Sequence, residues 1–136
     1  DDVESRGLGD VYKRQDKYLS SEEKGTIYEH CKKAIEKSLN FGEKGLPKIG
    51  SGDWNDGFST VGNKGKGESI WLGFFLSDIL KKFIPICQYK GEEKLAKKYE
   101  DIMNQLKKSL NTNGWDGRWF RRAFTDNGET LRKLAK

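Results

Sequence analysis

The chain contains very few of the residues that bind metal ions or form disulfides. Its 136 residues include one histidine, His30, and two cysteines, Cys31 and Cys87. A zinc site needs three or four ligands, most of them histidine or cysteine, so we expect no metal centre. The two cysteines lack CxxC spacing and occupy apolar positions of predicted helices. They are therefore predicted to be buried thiols rather than a disulfide or a metal-binding pair.

Long apolar runs are also absent. No apolar run approaches the roughly 20 residues that a helix needs to span a bilayer. The net charge of +5 comes mostly from lysines. They lie between the apolar positions of predicted helices, which is typical of a solvated face, whereas nucleic-acid binding favours a stripe of arginines and aromatic residues. We therefore expect neither a membrane nor a nucleic acid as a partner.

The beginning of the chain differs from the rest. The only methionine is Met103, and the chain starts at Asp1. Residues 10–15 resemble the translated end of a transposon adapter used in sequencing libraries. We therefore expect residues 1–15 to be a non-native tail, with a disordered natural tail as the alternative, and residues 16–136 to be a fragment of a larger domain.

Hydrophobic periodicity predicts a first helix over residues 21–39. Ser20 and Glu23 have the spacing of a capping box, in which each residue satisfies a backbone N–H at the start of a helix. Apolar residues then recur at intervals of three and four, which is the pattern of an amphipathic helix.

Two further helices are predicted, and they differ in polarity. Residues 68–89 are apolar on almost every face, which is typical of a helix enclosed by other helices. Lys90 and Gly91 predict its end. Residues 92–110 carry one apolar stripe with lysines opposite, as expected for an outer helix. The sequence thus predicts an all-α fold with an inner and an outer helical layer.

Two glycine-rich loops accompany these helices. Residues 42–67 hold eight of the sixteen glycines and show no sustained periodicity. Loops of this length in a compact domain are usually functional or disordered, and the tryptophan, phenylalanine and isoleucine content favours a functional loop. Residues 113–124 again combine glycine, aromatic residues and charge. A short strand over residues 119–124 is the one strand predicted.

The run from Gly50 to Gly57 has the composition of a sugar-binding site. It contains Asp53, Trp54, Asn55 and Asp56. Glycines allow a backbone to approach a ligand closely, and an indole face can stack on a pyranose ring. A carboxylic acid in a partly dry pocket can protonate a glycosidic oxygen. A surface turn is the alternative, although an exposed turn gains little from a large indole.

Five motifs together resemble the catalytic domain of glycoside hydrolase family 94, and the resemblance covers about residues 22–128. It implies that residues 16–136 are a fragment of an (α/α)6 barrel, with about three long helices and glycine-rich active-site loops. The motifs are Thr26–Cys31, Gly42–Pro47, Gly50–Gly57, Gly65–Gly73 and Gly114–Ala123.

The family resemblance also implies an activity. Members include cellobiose, chitobiose and β-1,2-oligoglucan phosphorylases, and the phosphorylase-like part of cyclic β-1,2-glucan synthases. They cleave a β-glucosidic bond by reversible phosphorolysis with inversion, which releases α-glucose 1-phosphate. The expected partners are a β-linked glucoside or oligosaccharide and inorganic phosphate as co-substrate, without a cofactor. For the whole protein we expect a homodimer and a cytoplasmic location.

Within the first loop the family pattern assigns the proton donor. Asp56 would be the general acid, and Trp54 would contact the transferred glucose. Asp53 would bind substrate or organise the loop, and Asn55 is grouped with it as substrate-binding. One general acid suffices, because phosphate is already anionic and needs no general base, unlike the water of an inverting hydrolase.

Other candidates come from the neighbouring motifs, and each has a structural alternative. Glu68 would be a ligand on the acceptor side or an acid in the first turn of the inner helix. Asp116 and Arg122 would line the pocket rim or form a structural pair. Trp71 and Trp119 are expected in the core.

The resemblance also indicates what is missing. The family's phosphate-binding residues are expected outside this chain, so we expect the fragment alone to be inactive. Its uncovered apolar inner helix predicts poor solubility. Two other functions stay open: a carbohydrate-binding or structural remnant without chemistry, and a hydrolase on the same barrel.

Overall fold

A computed structural model describes residues 22–51 and 60–131 of the chain. These residues fall into two compact units, the first ending at Ala34 and the second beginning at Ile35. Its elements are, in chain order, α1 (Ile27–Ser38), β1 (Glu68–Ser69), α2 (Ile70–Tyr89), α3 (Glu93–Ser109), a π-helical turn (Leu110–Gly114), β2 (Ala123–Phe124) and β3 (Thr130–Leu131).

Helix α1 begins six residues later than the predicted start at residue 21. Its capping box is formed by Thr26 and Glu29, which have the same spacing as Ser20 and Glu23. The Glu29 N–H donates to Thr26 Oγ1 at 3.2 Å, and the Thr26 N–H donates to Glu29 Oε2 at 2.7 Å. Two orphan donors are satisfied in this way, which explains the start at residue 27.

The two cysteines have different environments. Cys87 on α2 is buried, as predicted. Cys31 on α1 is exposed, so its predicted burial is wrong. The reason is that α1 buries only Ile35 among its residues, so most of its apolar stripe stays open.

Helix α2 has well-defined ends. Ser69 caps its start, because its hydroxyl accepts the Leu72 N–H at 3.2 Å. At its end Gly91 has a φ of 76°, a left-handed conformation that glycine adopts readily. The Glu92 N–H then donates to the Cys87 carbonyl at 2.9 Å. This satisfies a terminal carbonyl and confirms the predicted stop at residues 90–91.

Helices α2 and α3 pack against each other and supply most of the core. The Phe83 and Tyr99 rings lie 6.2 Å apart between them. The Tyr99 hydroxyl also donates to Glu36 at the end of α1, at 2.9 Å. The predicted stripe of α3 is confirmed, with its lysines exposed. The buried residues of the two helices are Ile70, Gly73, Leu76, Leu80, Phe83 and Cys87 on α2 and Ala96, Tyr99, Leu106 and Ser109 on α3.

One face of α2 is not covered within the described residues. Trp71, Phe74 and Phe75 are 42%, 42% and 52% exposed. Trp119, in the second loop, is 66% exposed, so neither Trp71 nor Trp119 lies in the core as expected. The described part of the chain therefore encloses only one side of this helix. None of its helices combines the length and the hydropathy that crossing a membrane requires.

A small antiparallel sheet corrects the all-α prediction. Strand β2 lies between β1 and β3, with Ala123 opposite both Ser69 and Leu131. Lys48 also forms a bridge with Glu68, which places a fourth segment beside β1. Strands of two residues carry no detectable alternation, and only β2 falls within the predicted strand. The described helices do not define a barrel, so the (α/α)6 architecture stays a prediction.

Candidate functional site

The structure describes both ends of the candidate sugar loop. Asp53, Trp54, Asn55 and Asp56 lie outside the described residues. We call residues 40–51 the amino-terminal flank and residues 60–67 the carboxyl-terminal flank. These flanks are the described backbone immediately before and after the loop in the sequence.

The amino-terminal flank is a tight turn fixed to the sheet. The Gly42 N–H donates to the Leu46 carbonyl at 2.9 Å, and Leu46 is fully buried. Beyond the turn, the Ser69 N–H donates to the Pro47 carbonyl at 2.9 Å. The flank therefore runs antiparallel to β1 up to the start of the loop.

The Glu68 carboxylate holds this turn by accepting hydrogen bonds from its backbone. Its side chain is buried, with 3% exposed, and its Oε1 accepts the backbone N–H groups of Lys44 at 3.1 Å and Leu46 at 3.0 Å. A Cβ atom on Gly42 would lie only 2.3 Å from the Glu68 carboxyl carbon, so the turn fits closely over this side chain. A buried carboxylate is tolerated because hydrogen bonds replace its hydration.

The position of Glu68 corrects one of its two expected roles. It precedes the helix cap Ser69, and the first turn of α2 contains no acidic residue. The expectation of a first-turn acid is therefore wrong, because α2 begins at Ile70 rather than at residue 68. A role as an acceptor-side ligand stays a prediction, and the described hydrogen bonds of its carboxylate go to the backbone of the flank.

Asp126 holds the carboxyl-terminal flank. Its Oδ1 accepts the N–H groups of Lys66 at 2.8 Å and Gly67 at 2.9 Å, and its Oδ2 accepts the N–H of Lys64 at 2.9 Å. Partial desolvation opposes ionisation, but these three donors outweigh it and hold the pKa of Asp126 below its ordinary value of 3.8. The carboxylate is thus ionised at neutral pH and bound to the flank.

Sequence reasoning did not identify Asp126 as a functional candidate. It begins the run Asp-Asn-Gly between β2 and β3, which is typical of a hairpin turn. The Gly128 N–H donates to the Thr125 carbonyl at 2.9 Å, and the Thr125 N–H donates to the Glu129 carbonyl at 2.8 Å. The turn signal was therefore readable, but the partner of the aspartate was not.

Asp116 and Arg122 differ in their hydrogen bonds and their local environments. The Asp116 carboxylate accepts the N–H groups of Arg118 at 2.9 Å and Trp119 at 2.7 Å, and so stabilises its own turn. The Arg122 side chain is exposed, while its carbonyl accepts the Ile70 N–H at 3.1 Å. The Arg122 backbone therefore attaches the second loop to the start of α2. Substrate binding by either side chain stays a prediction.

A hydrogen-bonded bridge connects the second loop to the amino-terminal flank. The Asn113 amide donates to the Lys44 carbonyl at 2.8 Å, and Arg121 donates to the Asn113 carbonyl at 2.8 Å. The Lys44 ammonium and the Arg121 guanidinium both lie over the Phe124 ring, at 4.8 and 5.8 Å. Cations are attracted to an aromatic face, so these contacts fasten both loops to β2.

A cavity of about 530 Å³ opens between the amino-terminal flank and the hairpin. This volume falls within the range of small-ligand sites. Its charged lining includes Lys44, Lys48 and Lys66 beside Glu68 and Asp126, whose carboxylates are bound to the backbone. Among residues 22–51 and 60–131, no group of three or more histidine, cysteine, aspartate or glutamate side chains is placed to hold a metal ion.

The chain belongs to the glycosyl hydrolase 94 superfamily, because a model of the catalytic domain of that family matches residues 2–134. The match includes both flanks and the loop between them. It is also the family that the five sequence motifs indicate.

Three characterised relatives agree with this assignment. A cyclic β-(1,2)-glucan synthase, NdvB, of Rhizobium meliloti is 38% identical over 112 residues, which are 82% of this chain and 4% of the relative. A solabiose phosphorylase of Paenibacillus borealis is 35% identical over 109 residues, 79% of the chain and 14% of the relative. A cellobionic acid phosphorylase of Neurospora crassa is 35% identical over 105 residues, 76% of the chain and 13% of the relative. The chain thus spans a small part of each relative's length.

Proposed function

We propose that this chain carries the proton-donating part of an inverting glycoside phosphorylase. The whole protein would cleave a β-glucosidic bond with inorganic phosphate and release α-glucose 1-phosphate. The observation that supports this most directly is the family match, which spans the Asp-Trp-Asn-Asp run of the loop. Relatives named as phosphorylases of solabiose and cellobionic acid support the reaction class.

In the proposed reaction Asp56 donates the proton. The bond between the anomeric carbon and the glycosidic oxygen breaks, and the proton of the Asp56 carboxylic acid passes to that oxygen. A phosphate oxygen forms the new bond to the anomeric carbon from the opposite face, which inverts the configuration. Phosphate attacks as an anion, so no second carboxylate is needed as a base. Trp54 would stack on the transferred glucose.

The flanks support this role by holding the two ends of the loop. A catalytic group must be kept within a fraction of an ångström of its productive position, which requires a rigid support. Glu68 holds the amino-terminal flank with two backbone N–H groups, and Asp126 holds the carboxyl-terminal flank with three. The loop therefore starts and ends on backbone that is fixed by hydrogen bonds.

The proposal is tested in the whole protein that contains this segment. We expect α-glucose 1-phosphate to form from a β-glucoside only when phosphate is added. Asp56→Asn should lower kcat by about 100-fold or more, because general acid catalysis contributes roughly 10²–10⁴-fold. Asp53→Asn is the matched control, and we expect it to alter KM more than kcat.

Three results would change the assignment. Release of free glucose without phosphate would indicate a hydrolase. Full activity of Asp56→Asn together with an inactive Asp53→Asn would transfer the proton donor to Asp53. Tight binding of the glucoside without any turnover in the unaltered protein would support a carbohydrate-binding remnant.

A β-1,2-linked glucan is the substrate that one observation favours. Identity to the cyclic β-(1,2)-glucan synthase is 38%, against 35% for the solabiose and cellobionic acid phosphorylases. We expect a β-1,2-linked glucose oligomer to be cleaved with a higher kcat/KM than a β-1,4-linked oligomer of equal length. The reverse order would exclude this substrate and leave the reaction class intact.

A further inference from the structure

The Asp126 carboxylate is the main described anchor of the carboxyl-terminal flank. Residues 60–67 belong to no helix or strand, so they have no regular ladder of backbone hydrogen bonds. The three N–H groups that Asp126 accepts lie within four consecutive residues of this flank, Lys64 to Gly67. Hydrogen bonds to an ionised acceptor are stronger than those to a neutral acceptor, so one side chain fixes most of this short segment.

The support behind Asp126 is itself rigid. Ala123 and Phe124 of β2 are 0% and 4% exposed, and β2 is paired on both sides. The Asp126 backbone N–H adds a direct bond to the Val61 carbonyl, at 3.1 Å. The flank is thus attached to the hairpin near its beginning, at Val61, and near its end, at Gly67.

The anchored flank also meets the other end of the loop. The Ile49 N–H donates to the Gly67 carbonyl at 2.9 Å. A Cβ atom on Gly62 would lie 2.8 Å from the Ile49 Cβ, so the two flanks touch closely at this point. Holding the carboxyl-terminal flank on the hairpin therefore fixes it against the residue that directly precedes the candidate loop.

We propose that Asp126 is a positioning residue for the candidate proton donor: its carboxylate fixes the flank that directly follows, in the sequence, the loop that carries Asp56. This inference rests on the proposed function. Asp126 does not touch the substrate in this role. It acts by restricting the backbone of residues 61–67, and a displacement of about 1 Å in a catalytic group can lower a rate about 100-fold.

The test compares two variants of Asp126 with two controls in the whole protein. Asp126→Ala removes all three acceptor bonds, and Asp126→Asn keeps one acceptor oxygen. Thr125→Ala removes only a bond inside the same turn, from the Glu129 N–H at 3.2 Å. Asp101→Asn removes an exposed ion pair with Lys97, 3.0 Å long, on α3 and so outside both flanks.

We expect Asp126→Ala to lower kcat by about 10- to 100-fold with a smaller change in KM, because the proton donor is displaced while the sugar still binds. Asp126→Asn should restore part of this loss. The alkaline limb of the pH dependence of kcat/KM should shift in Asp126→Ala, because this limb reports the ionisation of the general acid. Both controls should stay within about twofold of the unaltered protein.

Hydrogen exchange provides a measurement that does not need activity. The amides of Lys64, Lys66 and Gly67 should exchange at least about tenfold faster in Asp126→Ala, since they lose their acceptor, while the amides of α3 keep their protection. Unchanged exchange at these three amides would overturn the inference. Faster exchange with kcat and the pH profile unchanged would also overturn it, because the contact would then be structural only. No product from the unaltered protein would instead overturn the proposed function, and the positioning role with it.

Discussion

The two flanks of the candidate loop are held by the same chemistry in two different environments. Glu68 is 3% exposed and lies in the sheet, whereas Asp126 is partly exposed at the tip of a hairpin. Each carboxylate accepts backbone N–H groups from a segment far away in the sequence. From this difference we expect the amino-terminal flank to contribute mainly to the stability of the fold and the carboxyl-terminal flank to open locally.

Burial is the physical reason for this difference. A buried donor that loses its acceptor cannot form a hydrogen bond to water instead, so the loss costs the full desolvation penalty of that donor. A partly exposed donor exchanges its acceptor for water at little cost. We therefore expect substitutions at the amino-terminal flank to change the free energy of unfolding, and substitutions at the carboxyl-terminal flank to change local order and activity.

The largest effect is expected for Glu68→Ala. It leaves the buried Leu46 N–H and the partly buried Lys44 N–H without their acceptor. Each such loss costs about 1–3 kcal/mol, so the two together should lower the free energy of unfolding by about 2–6 kcal/mol in urea denaturation. Glu68→Gln, which keeps one acceptor oxygen, should cost clearly less. A loss below about 1 kcal/mol for Glu68→Ala would show that the two flanks do not differ as described.

Gly42→Ala should have the second largest effect. The added Cβ would lie within 2.3 Å of the Glu68 carboxyl carbon, and Glu68 is enclosed by its hydrogen bonds. Overpacking of this kind costs about 1–3 kcal/mol. A double-mutant cycle with Glu68→Ala checks the cause, because crowding disappears when the glutamate is removed. An undiminished cost in the Glu68→Ala background would show that the backbone, not the carboxylate, is disturbed.

A pH dependence should distinguish the carboxyl-terminal flank. The pKa of Asp126 is lowered in the folded protein, so its ionised form stabilises the flank at pH values above the unfolded-chain pKa of about 3.9. This contribution is lost as the pH falls through the lower folded-state pKa. The protection factor of the Lys66 amide should therefore hold from pH 7 to about pH 4 and decrease below it. Asp126→Asn should remove this decrease, and an identical profile in that variant would assign it to another group.

The smallest effect is expected for Asp101→Asn. Asp101 is 62% exposed and pairs with Lys97 one turn earlier on α3, without a backbone partner among its described contacts. Surface pairs of this spacing contribute about 0.3–0.5 kcal/mol. The free energy of unfolding should change by no more than about 0.5 kcal/mol in urea denaturation. A larger change would mean that exposed carboxylates in this chain matter without backbone donors, which would weaken the contrast between the flanks.

Much of the helical structure follows from local sequence patterns. The stripe of α3 and the stop at Gly91 are confirmed, because both depend on residues within a turn or two of each other. The start of α1 was misplaced because Ser20 and Thr26 offer the same capping spacing, and Thr26 forms the cap of the described helix. Strands β1 and β3 were missed because two-residue strands have no period to detect.

The candidate site was less predictable from the sequence than the helices were. The loop composition identified Asp53, Trp54, Asn55 and Asp56, and their roles in binding and proton transfer stay predictions. Glu68 was named, although not as the acceptor that holds the amino-terminal flank. Asp126 was missed, since an Asp-Asn-Gly turn indicates a hairpin but not a partner.

The sequence alone determined the type and polarity of α2 and α3 and the family of the chain, and it supplied the candidate residues of the loop. Helix formation and capping are local, and a motif is recognised by the residues themselves. The tertiary structure decided which carboxylates anchor the loop. Glu68 lies 22 residues from Leu46, and Asp126 lies 62 residues from Lys64. A hydrogen bond between residues so far apart in the sequence follows no recognisable spacing pattern, because the tertiary fold brings its partners together.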